Sequence, residues 1–295
     1  MRFGITILPE LPWTAAAPLW REAEHLGFDH AWTYDHVVWA GLPDSPWFAA
    51  MPTLTAAAVV TERIGLGTFV ASPNTHHPVQ FTREILALDD ISGGRFLLGI
   101  GTGGDLDSRV VGESLSLKER VARFHEFTDV LDRLLTGDHV TVDGHYYRAQ
   151  DARTLPGPVR GPGSGGRVPL LVAANGPKSI RLAVTRGDGW LTYGGSADTD
   201  EGWWQVVADA SARVDEALER DAGARHLRPF ARYLNLDSAP TFSLASVGAF
   251  EDAVGRAAEL GFTDVITHWP RPEGPYAGER ATLEAVVADV LPRWR

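Results

Sequence analysis

The stretch LDDISGGRFLLGIGTG, residues 88–103, contains the three parts of one structural unit. An apolar-periodic helix runs to Ile91, a Ser-Gly-Gly turn follows, and Phe96 to Ile100 form a continuous apolar run. Glycine adopts the left-handed backbone conformation that closes the carboxyl end of a helix. A strand that is apolar on both faces is typical of a parallel sheet covered by helices. The stretch therefore predicts a helix, a turn and a parallel strand in direct succession.

The same unit recurs along the whole chain. We predict strands at residues 2–8, 29–34, 64–70, 96–101, 169–173, 188–192, 228–236 and 263–268. We predict helices at residues 14–26, 52–61, 78–91, 117–135, 177–186, 200–220, 247–260 and 279–292. Eight strand–helix units in 295 residues fit a (β/α)8 TIM barrel, which typically needs about 250 residues. The expected architecture is thus one α/β barrel domain over residues 1–295. An open doubly wound sheet is the alternative, because periodicity does not reveal closure.

One segment exceeds what a barrel needs, between the fourth of these helices and the fifth strand. Residues 140–147 contain an Asp-Gly pair at Asp143 and Gly144, which predicts an inserted β-hairpin. In residues 156–166, which follow, eight of eleven are Pro or Gly. Such a stretch is either a floppy insertion or a loop that closes over a site.

Composition excludes several classes of function. The chain has no cysteine, which removes thiolate catalysis, Cys-ligated zinc and iron–sulfur clusters. The formal net charge of −11 argues against nucleic acid or an anionic membrane as the main partner. No apolar run approaches the ~18 residues of a membrane span, and the amino terminus lacks the features of a secretion signal. We therefore expect a cytoplasmic protein.

Candidate site residues follow the predicted strands, where barrel enzymes carry their active sites. Asp35 and His36 follow the second strand and offer a carboxylate and an imidazole for proton transfer, or form a structural pair. His36, His76, His77 and His268 are too loosely patterned to predict a metal site, since the chain lacks a His-x-His pair on a strand.

The sharpest local feature is Asn175-Gly176-Pro177-Lys178-Ser179. Proline is favoured at the first position of a helix, and the amides of Lys178 and Ser179 are then exposed at the helix start. The helix dipole favours an anion there, and Lys178 adds a positive charge. The pattern indicates a phosphate clamp, or else an ordinary helix start.

Several of these motifs resemble the bacterial luciferase-like monooxygenase superfamily, particularly its coenzyme F420 (deazaflavin)-dependent branch. The resemblance is carried by residues 23–36 (AEHLGFDHAWTYDH), 63–68 (RIGLGT), His77-Pro78, 88–103 and 187–190 (GDGW). It implies a barrel that holds a deazaflavin or flavin ring over the carboxyl ends of its strands. Asn175, Gly176, Pro177, Lys178 and Ser179 match the phosphate-binding turn of that family. Phe69 and Val70 match a bulge with a non-prolyl cis peptide behind the ring, and Thr102 matches a residue beside it.

The resemblance also implies roles for Asp35 and His36 beside the reactive edge of the ring, with His36 the best candidate for proton transfer. Two departures concern the sugar-phosphate dehydrogenases of the family: Gly104 stands where they carry a glutamate, and Ala40 where they carry a tryptophan. We therefore do not carry over the sugar-phosphate activity.

The resulting expectation is hydride transfer between coenzyme F420 and an apolar or aromatic organic substrate. Aromatic residues near the strand ends suggest that substrate class: Trp39, Trp47, Phe48, Tyr193 and Trp269. The alternatives are a monooxygenase that uses FMNH2 and O₂, a catalytically silent flavin-binding barrel, and, more remotely, a metal-dependent hydrolase. The family's habit of pairing implies a homodimer.

Overall fold

Eight parallel strands close into a barrel in the computed structural model, which describes residues 1–159, 166–221 and 229–295. The hydrogen-bonded order around the barrel is β1-β10-β9-β8-β7-β4-β3-β2. The barrel strands are β1 (Arg2–Thr6), β2 (His30–Thr33), β3 (Gly65–Thr68), β4 (Phe96–Ile100), β7 (Leu170–Ala173), β8 (Gly189–Thr192), β9 (Ala231–Asn235) and β10 (Asp264–His268). Closure confirms the TIM barrel and excludes the open sheet.

Helices surround the barrel at the positions that the sequence predicts, with ends displaced by a few residues. They are α1 (Trp13–His25), α2 (Ala50–Val60), α3 (Pro78–Ile91), α5 (Leu117–Thr136), α6 (Pro177–Arg186), α7 (Asp200–Arg220), α8 (Val247–Glu259) and α9 (Arg280–Asp289). Two short helices, α4 (Asp105–Val110) and α10 (Leu291–Trp294), were not predicted separately. Residue 228, at the start of the seventh predicted strand, lies outside the described residues.

Arg95, which directly precedes β4, holds α2 against the barrel. Its guanidinium donates to the backbone oxygens of Ala58, Thr61 and Ile64, at 2.8, 3.1 and 3.0 Å. Its Nε donates to the Ser92 oxygen at 2.7 Å. Carbonyls at the end of a helix lack partners within the helix, and Arg95 satisfies two near the end of α2. The helix and the adjoining strands are thus held together by one side chain.

The barrel interior is filled by large side chains that face glycines. Trp32 is fully buried and packs with Leu171, Leu191, Tyr233 and Ile266. A Cβ on Gly67 would come within 2.2 Å of the Trp32 ring, so β3 needs glycine there. Below this layer, His30 Nε2 lies 2.9 Å from Asp264 Oδ1. The lower barrel is therefore a packed core, and a site has to lie at the other end.

The predicted insertion is a hairpin, but its second strand lies further along the chain than expected. Strand β5 (Val140–Asp143) pairs antiparallel with β6 (Arg148–Ala152). Tyr146 and Tyr147, predicted within the hairpin, lie in its connecting loop, where their backbone N–H groups donate to Glu126 Oε1. This carboxylate on α5 draws the return strand beyond residue 147. Of the Pro/Gly-rich stretch, residues 160–165 lie outside the described residues.

Among the described residues, 1–159, 166–221 and 229–295, no helix is both long enough and apolar enough to cross a bilayer.

Candidate active site

A cavity of about 750 Å³ opens at the carboxyl ends of the barrel strands. It brings together eight of the ten residues that the sequence and the resemblance single out: Asp35, His36, Phe69, Val70, Thr102, Asn175, Gly176 and Ser179. Pro177 and Lys178 are exposed and do not line it. The volume is in the range of small-molecule and cofactor sites.

His36 pairs with Asp107, a residue that sequence reasoning missed. The His36 Nδ1 atom lies 2.6 Å from Asp107 Oδ2, and the backbone N–H of Val37 donates to Oδ1 at 2.9 Å. An ionised carboxylate only accepts hydrogen bonds, so Nδ1 of His36 carries the proton of the pair, and Nε2 is the ring nitrogen that Asp107 does not hold. Burial would raise the pKa of Asp107, but the hydrogen bond and charge of His36 bring it below its ordinary value. The pair therefore presents an oriented imidazole to the cavity.

Asp107 lies on α4, in the first turn after the strand exit at Gly103 and Gly104. A Cβ on Gly104 would lie 3.6 Å from Asp107 Oδ2. The carboxylate thus stands close to the point where the sugar-phosphate dehydrogenases carry their glutamate. A carboxylate is therefore present at this corner, on a residue three positions further along the chain than Gly104.

Asp35 pairs with a different histidine. Its Oδ2 lies 2.6 Å from His76 Nε2, and the His76 ring stacks on Phe81 with centroids 4.0 Å apart. Asp35 and His36 therefore do not bond to each other, although they are neighbours in sequence. Side chains alternate in direction along an extended segment, which sends the two to partners on different loops. His77, by contrast, caps α3 by accepting from the Val79 N–H at 3.3 Å.

A third Asp–His pair lies behind the cavity wall. His268 Nδ1 lies 2.8 Å from Asp237 Oδ2, and His268 Nε2 lies 2.8 Å from the Tyr34 hydroxyl. The Tyr34 hydroxyl also lies 3.0 Å from that of Tyr276, and both tyrosines line the cavity. Burial is the main cause that raises the pKa of Tyr34 well above 10 and that of Tyr276 to about 12. Both phenols are therefore protonated at neutral pH.

One side of the cavity carries an aromatic cluster. Trp39 stacks on Tyr276 at 5.9 Å, and Trp47 packs against Trp39 at 6.0 Å. Of the other aromatic residues singled out from the sequence, Tyr193 lines the cavity. Trp47, Phe48 and Trp269 are not among the lining residues. Trp47 lies against lining residues, Trp39 among them, and Trp269 packs under Arg280. The cluster favours an apolar or aromatic ligand on this side.

Two backbone features shape the cavity where β3 and β4 end. The peptide between Phe69 and Val70 is cis, as the resemblance implies. A Cβ on Gly101 would lie 2.6 Å from Val70 Cγ2, so glycine lets the two strand exits approach each other. At the next exits, Asn175 Oδ1 accepts from the Thr192 hydroxyl at 2.7 Å, which fixes the amide at the start of α6.

The first turn of α6 has no side-chain cap. Pro177 has no N–H, the Ile180 N–H bonds within the helix to Gly176, and the amides of Lys178 and Ser179 remain. A Cβ on Gly176 would meet no atom within 4 Å, so the space in front of this turn is open. An anion fits there by charge and by hydrogen bonding. Among the described residues, no group of three potential ligands forms a metal site.

Comparison with known proteins adds four findings. A family model described as luciferase-like monooxygenase matches residues 1–228. The F420-dependent glucose-6-phosphate dehydrogenase of Beutenbergia cavernae is 31% identical over 92% of this chain and 91% of that protein. The F420-dependent hydroxymycolic acid dehydrogenase of Mycobacterium tuberculosis is 32% identical over 90% and 69%. The structure of the coenzyme F420-dependent tetrahydromethanopterin reductase of Methanopyrus kandleri superposes with a TM-score of 0.78, at 21% identity over 100% and 99% of the two chains, a likeness of fold.

Proposed function

The chain belongs to the luciferase-like monooxygenase family, and from that premise we propose that it transfers hydride between coenzyme F420 and an apolar or aromatic organic substrate. Two relatives at 31% and 32% identity carry F420 dependence in their names, which supports the choice of cofactor. The observation that carries the proposal is the arrangement of the cavity, with an open helix start at one side and an oriented imidazole and aromatic cluster at the other.

The residues present fit a deazaflavin. The amides of Lys178 and Ser179, with the Asn175 side chain, would hold its phosphate at the uncapped start of α6. Phe69, Val70 and Thr102 would contact the ring. When bound there, the deazaflavin supplies or accepts the hydride.

The chain's own contribution is orientation and proton transfer. His36 Nε2 would polarise the substrate by a hydrogen bond or exchange a proton with it, because Asp107 holds the other ring nitrogen. Asp35 would shape the same rim through His76. The aromatic cluster would exclude water and bind the apolar part of the substrate.

Parallel titrations with F420 and FMN test the cofactor. We expect saturable binding of F420, tighter than that of FMN, measured by the absorbance of each chromophore. Lys178→Ala should weaken F420 binding by about 1 kcal/mol, roughly fivefold, because the exposed ammonium is partly screened. Arg181→Ala is the matched control, since Arg181 lies one turn further along α6 and pairs with Asp221. Tighter binding of FMN, with O₂ consumption in the presence of FMNH2, would favour the monooxygenase instead.

Turnover is tested separately, with loaded enzyme and a panel of alcohols, ketones and activated alkenes, followed at the F420 absorbance band. Tight F420 binding without turnover of any panel member would support the silent barrel. The homodimer and the cytoplasmic location are also proposals, and sedimentation velocity measures the first directly.

A further inference from the structure

The chain Tyr276–Tyr34–His268–Asp237 runs from the cavity into the protein interior. The three links are 3.0, 2.8 and 2.8 Å long. His268 and Asp237 side chains have no exposed surface, and Tyr34 is buried. The His36–Asp107 pair takes no part in this chain, so the cavity has a second route for a proton.

The chemistry of Asp237 sets the direction of every link. Its Oδ1 accepts from the Ser243 N–H at 3.0 Å, and its Oδ2 accepts from the His268 N–H at 2.6 Å. A carboxylate among such donors is an acceptor only, so His268 carries its proton on Nδ1. In the tautomer with its proton on Nδ1 alone, His268 accepts at Nε2 from the Tyr34 hydroxyl. The single hydroxyl proton of Tyr34 is used in that hydrogen bond, so in the bond between the two tyrosines the Tyr276 hydroxyl is the donor.

Tyr276 is the end of the chain that a ligand can reach. It lines the cavity, and its oxygen keeps acceptor capacity after its proton is given to Tyr34. Its ring is held between His268, with centroids 3.7 Å apart, and Trp39. Its backbone has φ +63°, a left-handed conformation that is costly for a bulky residue.

We infer that Tyr276 accepts a hydrogen bond from a substrate hydroxyl, so that the substrate is an alcohol carried on an apolar frame. This inference rests on the proposed function and deepens it. On oxidation, the hydroxyl proton passes to Tyr276 as the Tyr276 proton moves to Tyr34 and the Tyr34 proton to His268 Nε2. The C–H bond of the carbon that bears the hydroxyl would break in the same reaction, and a bound oxidised deazaflavin would take up its electron pair and hydrogen as hydride. The products are a carbonyl compound and an imidazolium paired with Asp237.

A matched pair of probes tests the binding step without the cofactor. We would titrate the protein with 1-phenylethanol and with acetophenone, which share a frame but differ in the ability to donate a hydrogen bond, and follow tryptophan fluorescence. The alcohol should bind about 2- to 10-fold more tightly, as one hydrogen bond predicts. Tyr276→Phe should remove this preference, because it deletes the oxygen and keeps the ring. Tyr146→Phe, on the hairpin loop, should leave it unchanged.

Equal affinity of the two probes for the unmodified protein, no measurable binding of the alcohol, or a preference that survives Tyr276→Phe would overturn the inference. Because no deazaflavin is present, these outcomes are independent of the F420 titration. A protein that binds F420 but does not prefer the alcohol refutes the substrate class alone.

The positions of Tyr34 and His268 are tested by ¹⁵N NMR of the histidine rings at neutral pH, which distinguishes protonated from unprotonated ring nitrogens. We expect His268 to carry its proton on Nδ1, with the Nε2 signal moving in Tyr34→Phe toward that of a nitrogen without a donor. A proton on Nε2, or an Nε2 signal that Tyr34→Phe leaves in place, would refute the direction of the chain. The position of the proton on His268 is measured in the unmodified protein, so this part of the test does not depend on the folding of any variant.

Discussion

We predict that Asp107→Asn lowers the free energy of unfolding by about 1–2 kcal/mol at pH 7. The amide keeps one oxygen for the Val37 N–H, but it presents an NH₂ group to the His36 ring in place of an oxygen. A hydrogen bond to a charged group contributes about 1.5–3 kcal/mol. The expected loss for Asp107→Asn lies at the lower end of that range because the His36 side chain is 27% exposed, and water can replace part of the lost hydrogen bond.

Urea unfolding, read by tryptophan fluorescence, measures this change. In a His36→Ala background the cost of Asp107→Asn should fall below about 0.5 kcal/mol, because the partner is already gone, and the cycle isolates the coupling between the two. Asp105→Asn is the matched control on the same helix. The Asp105 side chain is 58% exposed and pairs with Arg109 on the helix surface, so its replacement should cost less than about 0.5 kcal/mol.

The effect also has a definite pH dependence. Because folding lowers the pKa of Asp107, its contribution is present above the unfolded value of 3.8 and disappears as the pH falls through the lowered value. The stabilities of the two proteins should therefore converge in acid. Equal stability at pH 7, a coupling close to zero, or a difference that widens as the pH falls below 4 would refute the assigned pairing.

Two further predictions concern the barrel. Gly99→Ala should lower the free energy of unfolding by at least about 3 kcal/mol, because its Cβ would lie 2.1 Å from the Thr68 carbonyl oxygen of the neighbouring strand. Gly176→Ala, whose Cβ would meet no atom within 4 Å, should cost less than about 1 kcal/mol. Chemical denaturation of the two variants compares these costs, and similar costs would contradict the close spacing of β3 and β4. Arg95→Lys should lower the melting temperature by about 4 °C, because an ammonium cannot reproduce the guanidinium hydrogen bonds that link α2 to the strands. An unchanged melting temperature in calorimetry would argue against that anchoring role.

Much of the fold could be predicted because apolar periodicity and glycine turns are local signals. The stretch at Ser92–Arg95 announces both the end of α3 and the start of β4, and the structure has both there. The hairpin's second strand was misplaced because its position depends on Glu126 of α5, which binds the connecting loop from about twenty residues away. A contact of that kind leaves no periodic signal.

Site residues could be predicted from the sequence where they follow a strand, but their side-chain partners on other loops could not. Asp35 and His36 stand directly after β2, which placed them at the rim, but their partners His76 and Asp107 lie on other loops. Asp107 could have been suspected from the acidic cluster after Gly104, although nothing local distinguishes it from Asp105. Tyr276 was missed because no sequence pattern marks the loop after β10, and its hydrogen-bond chain includes Tyr34 and Asp237, which lie far from it in sequence.

Asp107 has a consequence for how such a protein diversifies. One carboxylate fastens both the His36 ring and the N–H groups of Val37 and Val38, so the backbone is anchored as far as that point. Beyond it, residues 40–49 form a loop that carries Trp47 and is free of these bonds. Insertions, deletions or substitutions in that loop would change the aromatic side of the cavity, while Asp107 would keep the His36 ring in its orientation. Laboratory selection for a new substrate can therefore randomise this loop first and leave the proton-handling apparatus intact.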